Sequence, residues 1–234
     1  MTGGGFGKGR MRRGGTSWRD RDNRSMPSSV QVNSTEASET EDTANETGIM
    51  QSDFEKRISS QELDFSNSLL VEIRLDDFVS QQAKFTNSSL NDVILKDADL
   101  RGSDFSSAEF LGCMFDDVDL EHCSFHDVAA SGMKIRNANL KSAKLTEADF
   151  SQASFSDIDF SGANFNGSDL SKAVFTDVSL ANTRFHEASL VGVVFNQVYF
   201  DHTEFSSSDL SGVKFENCEG SLSVDGEMLN PEEI

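Results

Sequence analysis

Histidine and cysteine are the residues of this 234-residue chain best suited to nucleophilic or metal chemistry. His122-Cys123-Ser124-Phe125-His126 has the look of a zinc fragment, since imidazole and thiolate are zinc's usual ligands. Zinc needs four donors, each ~2.0–2.3 Å from one ion, and no second cysteine pair completes the set. His186 and His202 stand far along the chain, and Cys113, Cys123 and Cys218 are too scattered for a disulfide framework. Gly3-Gly4-Gly5-Phe6-Gly7 is glycine-rich but joins no strand to a helix, so it is not a phosphate loop. With no nucleophile beside a base, the expectation is a protein without catalytic residues, metal or cofactor.

The remaining chemistry is charge. Forty acidic side chains against 20 basic ones give a formal net charge of -20. Phosphate binding needs clustered Lys and Arg, so the molecule as a whole is not expected to bind nucleic acid. The charge is unevenly placed. Residues 1–30 net +5 through a cluster that includes Arg10, Arg12, Arg13, Arg19, Arg21 and Arg24. Residues 31–60 net -5, residues 61–220 net -16 and residues 221–234 net -4. Among the acids, Asp77, Asp97, Asp117, Asp157 and Asp177 recur at twenty-residue intervals, interrupted by Asn137. Glu109, Asp149, Asp169 and Asp209 fall on a second series at the same interval.

Such regularity demands elements that repeat. Every position divisible by five from Phe65 to Phe215 gives 31 centres, of which sixteen are Phe, twelve Leu and one Ile135; Ser80 and Ala130 are the exceptions. Two residues before each centre stands a small or apolar residue, and every charge between Leu63 and Asn217 falls on the other three phases. A short fixed period signals a stacked solenoid. Two inward positions two residues apart fit a short extended segment, after which the chain must turn. Gly102, Gly112, Gly132, Gly162, Gly167, Gly192 and Gly212 all sit two residues after a centre, where a corner with positive φ is expected. Pro27 and Pro231 lie outside the repeat, as expected if its N–H groups are committed to ladder hydrogen bonds.

Ala98-Asp99-Leu100-Arg101-Gly102, Ala148-Asp149-Phe150-Ser151-Gln152 and Ala163-Asn164-Phe165-Asn166-Gly167 resemble the pentapeptide-repeat family, whose pattern is Ala-(Asp/Asn)-(Leu/Phe)-x-x. The resemblance implies an all-β, right-handed quadrilateral β-helix with four pentapeptides per coil. Twelve of the sixteen Phe centres end in 5, which four sides would gather into Phe ladders on two opposite faces. On this geometry, at ~4.8 Å per coil, the rod is ~37 Å long. His122 and His202 stand ~19 Å apart and cannot share a metal. The cysteines take inward positions and read as core filler.

The four faces are numbered from the centres Phe65, Leu70, Leu75 and Ser80, and each recurs every twenty residues. Face 2 is the most acidic, with Glu72, Asp92, Glu109, Asp149, Asp169 and Asp209 against Lys172 alone. The row from Asp77 to Asp177 runs along a corner of face 3, where Asp also suits a turn. Asp76, Lys96, Asp116 and Arg136 beside it alternate in sign, which predicts pairing between coils.

The expected organisation is a disordered tail over 1–51, Gly/Arg-rich and then acidic, and a short helical cap over 52–62 opened by a Ser52–Glu55 capping box. The repeat follows over 63–220, and a C-terminal cap and acidic tail over 221–234 in which Leu222, Val224, Met228 and Leu229 cover the last coil. With no secretory signal, no transmembrane segment and few cysteines, the expected location is cytoplasmic. The expected function is a rigid, acidic protein-interaction module, monomeric or weakly dimeric end to end, for an unidentified partner with a basic surface. Asp149, Asp169 and Asp209 are its leading contact residues. The rod itself is not expected to bind nucleic acid; the basic tail reads first as a solubilising arm, with nucleic acid, an acidic partner, an anionic membrane surface or the rod itself as its alternative contacts. The alternative, taken from quinolone-resistance relatives within the resembled family, is a DNA mimic that modulates or protects a type II topoisomerase such as gyrase.

Overall fold

The computed structural model describes residues 48–233. The basic cluster from Arg10 to Arg24, and with it the reading of the tail, lies outside the described residues. Between Leu63 and Gly220 the chain winds into a four-sided β-solenoid, in all about eight turns. Its strands are parallel, mostly three residues long, and pair at an offset of twenty: Leu70 with Leu90, Leu75 with Leu95, Phe175 with Phe195. Four pentapeptides therefore make one coil. Face 3 carries the longest ladder, eight strands from Arg74–Asp76 to Lys214–Glu216.

The sequence period explains itself in the hydrogen bonding. In each unit the centre and the corner residue donate to the next coil, as Phe65 N–H does to Lys84 O (2.7 Å) and Asn67 N–H to Thr86 O (2.9 Å). The residue before the centre donates back, as Lys84 N–H does to Leu63 O at 2.8 Å. With these donors all in use, proline has no place in the ladder. The corner residue has φ near +55°, whether it is Asp, Asn, Ser, Glu or Gln, and near +70° where it is glycine.

Every centre from Phe65 to Phe205 is buried, and only Leu210 and Phe215 in the last coil are partly open. On face 1, Phe65, Phe85, Phe105 and Phe125 stack at 4.8–5.3 Å with their rings within 12° of parallel. Leu145 interrupts the stack, and Phe165, Phe185 and Phe205 resume it. Phe155, Phe175, Phe195 and Phe215 form the face 3 ladder, more tilted, at 4.9–5.4 Å. The small inward phase has its own rule. Where it is Thr or Cys, the side chain donates to the carbonyl 23 residues earlier: Thr183 to Phe160 O (3.0 Å), Cys123 to Leu100 O (3.0 Å), Cys113 to Leu90 O (3.2 Å). Burial pushes the Cys113 thiol up to about 11 and raises that of Cys123 further.

A β-rod leaves polar edges at both ends. At the first, Ile49 adds to face 2 beside Leu70, accepting from Val71 N–H and donating to Leu69 O. Helix α1 (Gln51–Ser59) then crosses the open coil. Phe54 is fully buried and stacks on Phe65 at 4.4 Å. Gln51 imitates a strand: its side-chain amide donates to Arg74 O (2.9 Å) and accepts from Arg74 N–H (2.8 Å). The capping box does not form. Met50 takes the N-cap position, and no side chain caps the helix. Ladder pairing of Ile49 fixes where the helix starts, which places Ser52 inside it. Arg57 secures the last turn, 4.7 Å above the Phe65 ring and 2.6 Å from Glu62.

At the other end the twenty-residue register holds to Phe200–Gly220 and then slips by one, pairing Thr203 with Leu222. A Cβ on Gly220 would stand 1.7 Å from Phe200 O, so only glycine passes this point. The chain closes in an antiparallel hairpin of Glu219–Val224 and Glu227–Leu229 about Asp225-Gly226. Leu222 is fully buried and covers the last coil, whereas Met228 is 57% exposed and does not. Met228 lies opposite Ser223 in the hairpin, on the strand facing away from the rod.

Candidate interaction faces

A solenoid side offers columns of outward side chains in place of a cleft. On face 2, Glu109, Ala129, Asp149, Asp169, Ser189 and Asp209 follow one another by parallel bridges, one per coil. The fold thus brings the four acids of this series into one column. All four are exposed. Asp149, Asp169 and Asp209 each accept, through Oδ1, the N–H two residues on, from Ser151 (2.9 Å), Ser171 (2.8 Å) and Ser211 (2.9 Å). This Asx turn aims the carboxylate along the face. Its hydrogen bonds hold the Asp209 carboxyl below the usual range. Among the described residues, no cation pairs with any of the four. The neighbouring outward residues are small, Ser131, Ser151, Ser171 and Ser211, with Leu111 and Val191 exposed among them.

The series Asp77, Asp97, Asp117, Asp157 and Asp177 occupies corners of face 3, each with φ between 52° and 56°. There the short Asp side chain suits a left-handed turn. The alternating ladder beside it pairs in one place. Arg136 donates to Asp116 at 2.7 Å across coils, and Asn137 donates to its other oxygen at 2.8 Å. Lys96 lies 3.8 Å from Asp97 of its own coil.

Face 4 holds a cluster that the pattern of charges did not single out. Asp99, Asp119 and Asn139 stack in successive coils, each at most 7% exposed. Arg101 bonds Asp99 through two nitrogens (3.0 and 2.8 Å) and lies 3.7 Å from Asp119. Asn139 donates to Asp119 at 3.0 Å, and Lys141 pairs with Asp159 at 3.2 Å. Burial raises the Asp99 carboxyl, but hydrogen bonds from Arg101 and Gln81 outweigh it and the net shift is downward. Asp119 is raised, by burial first and by the charge of Asp99 as well. The available signal is the residue two places on: a long cation (Arg101, Lys141) covers this column, while serine leaves the face 2 column open.

The histidines are dispersed, His126 to Thr146 (2.9 Å), His202 to Asp201 (2.6 Å) and His186 to Glu187 (3.2 Å). Among the described residues, no three or more His, Cys, Asp or Glu side chains are grouped to hold a metal, and no helix is long and apolar enough to cross a membrane.

Parallel coils around a Phe and Leu core define a pentapeptide-repeat solenoid. The model of the pentapeptide repeat region matches residues 98–175 and 158–221, more than half the chain, and the protein belongs to this family. No curated protein matches it in sequence. Among solved structures, it is 18% identical to QnrB1, a plasmid-mediated fluoroquinolone resistance protein, over 66% of this chain and 91% of that one, with a TM-score of 0.38. HetL, involved in heterocyst differentiation regulation in Nostoc sp. strain PCC 7120, is 17% identical over 77% of this chain and all of its own, with a TM-score of 0.30. A pentapeptide repeat protein of the Arabidopsis thaliana thylakoid lumen is 27% identical over 49% of this chain and 63% of its own, with a TM-score of 0.14. Overlays this loose add no functional inference.

Proposed function

We propose that the protein is a non-enzymatic interaction module that presents face 2 to a partner with a basic surface. The observation that carries this is the exposed column of Glu109, Asp149, Asp169 and Asp209, unpaired with cations among the described residues, on a side smoothed by serine and glycine. Surface charges of this kind steer encounter and set specificity. The corner acids Asp77, Asp97, Asp117, Asp157 and Asp177 serve the turns first and add to the negative field. Three free thiols are in keeping with a reducing cytoplasm.

The test is affinity capture with the full chain and with Asp149→Asn/Asp169→Asn/Asp209→Asn. Asparagine keeps the Oδ1 acceptor and hence the Asx turns, so the melting temperature should hold. Partner retention should fall by roughly tenfold, about 0.5 kcal/mol per charge. Undiminished capture by the triple variant would remove face 2 from the reading. The narrower reading, a rod seated in the basic DNA groove of a type II topoisomerase, draws on carboxylates repeated coil by coil. It predicts inhibition or drug protection in a gyrase supercoiling assay at micromolar protein, and no effect there ends it.

A further inference from the structure

We propose that face 2 has an occupant within this chain: the arginine-rich segment from Arg10 to Arg24 lies along the acidic column and competes with the external partner. The inference rests on the reading of face 2 as the working surface and adds its regulation.

Three observations converge. The first is where the chain joins the rod. Ile49 extends face 2 itself, beside Leu70. Gly48 lies against the outward side chains of that face, so closely that a Cβ would stand 2.7 Å from Val71 Cγ2 and 3.0 Å from Leu69 Cγ. The described chain thus starts on face 2 itself, at the end of the side that carries the acidic column.

The second is reach. Twenty-three residues separate Arg24 from Gly48. Fully extended they span up to ~80 Å. Asp149 stands four coils from Leu70, ~19 Å, and Asp209 seven coils, ~34 Å. The arginines reach every acid of the column.

The third is complementarity. Residues 1–30 net +5, and face 2 carries six acids against Lys172. The other faces hold their own bases, Lys84, Lys144 and Arg184 on face 1, Arg74, Lys96, Lys134, Arg136 and Lys214 on face 3, and Arg101 and Lys141 on face 4. A tethered cation at millimolar effective concentration finds its best counter-charge on face 2.

The experiment compares the isotope-labelled full chain with one in which Arg10, Arg12, Arg13, Arg19, Arg21 and Arg24 are changed to Gln. At low ionic strength, amide shift differences between the two should concentrate around Ser131, Ser151, Ser171 and Ser211. They should collapse in ~0.5 M salt, where the Debye length is only about 4 Å. A deca-arginine peptide should bind the Gln variant roughly two- to tenfold more tightly than the unmodified chain. Shift differences that are absent or spread evenly over four faces overturn the proposal, as does equal peptide affinity. The two readings fail separately. Partner capture that survives the Asp→Asn triple variant sinks the face 2 reading, whereas capture lost in that variant without arm-dependent shifts sinks only the arm.

Discussion

At the scale of the residue, the same phase of the repeat produces two kinds of aspartate. Asp149 and Asp169 are exposed, and Asp99 and Asp119 are buried under Arg101. The sequence showed all of them as outward acids, because periodicity reports direction and says nothing of what a long neighbour covers. Asp119 has a raised folded-state value, so the folded state holds its proton more tightly than the unfolded chain does. Its contribution to stability is present below 3.8, the ordinary value, and is lost as pH rises through the raised value. Asp119→Asn should therefore raise stability at pH 7 and flatten that part of the stability–pH curve. Arg101→Gln should cost about 3 kcal/mol at pH 7 by leaving two buried carboxylates without their cation. Melts across pH check both. The inward cysteines were legible from their phase, but their hydrogen bonds to a carbonyl 23 residues back required the coil. Alkylation of the native protein should modify half-buried Cys218 well before Cys113, and Cys123 last.

At the scale of the element, the repeat was readable because it leaves so little choice: apolar positions, corner phase and proline exclusion all arise from one hydrogen-bond scheme. The Asp-x-Ser signature of the Asx turns was equally on view, at Asp149-Phe150-Ser151 and its equivalents. The caps were harder. Phe54 covers the first coil, yet the start of α1 depends on Ile49 pairing with a strand twenty-one residues ahead, which local capping signals do not contain. Asp225-Gly226 flanked by short extended segments is a hairpin signal that a search for apolar cover passes over. Gln51→Ala should remove both contacts with Arg74 and cost about 1 kcal/mol in urea unfolding. Phe165→Asp would bury a charge between Leu145 and Phe185 and should abolish the cooperative melt seen by circular dichroism. A melt unchanged from the native protein would contradict the inward ladder.

At the scale of the whole molecule, the two ends differ. Phe54 and Phe65 are completely buried, while Leu210, Val213 and Phe215 remain partly open. In a solenoid each coil is stabilised mainly by its neighbours, so fraying should begin where the cover is thinnest. Hydrogen exchange should be fastest in Lys214–Glu216 and slowest near Ser154–Asp159, and equal protection at both would count against an open C-terminal end. The constant twenty-residue register has a further consequence, for how the gene can change in length. Loss of one codon within the rod would turn every later core residue outward. Loss of five would spare the core but rotate everything downstream by a quarter turn, parting Glu109 from Asp149. Only a loss or gain of twenty leaves each column intact, so the molecule can lengthen or shorten in whole coils while keeping the surface it presents.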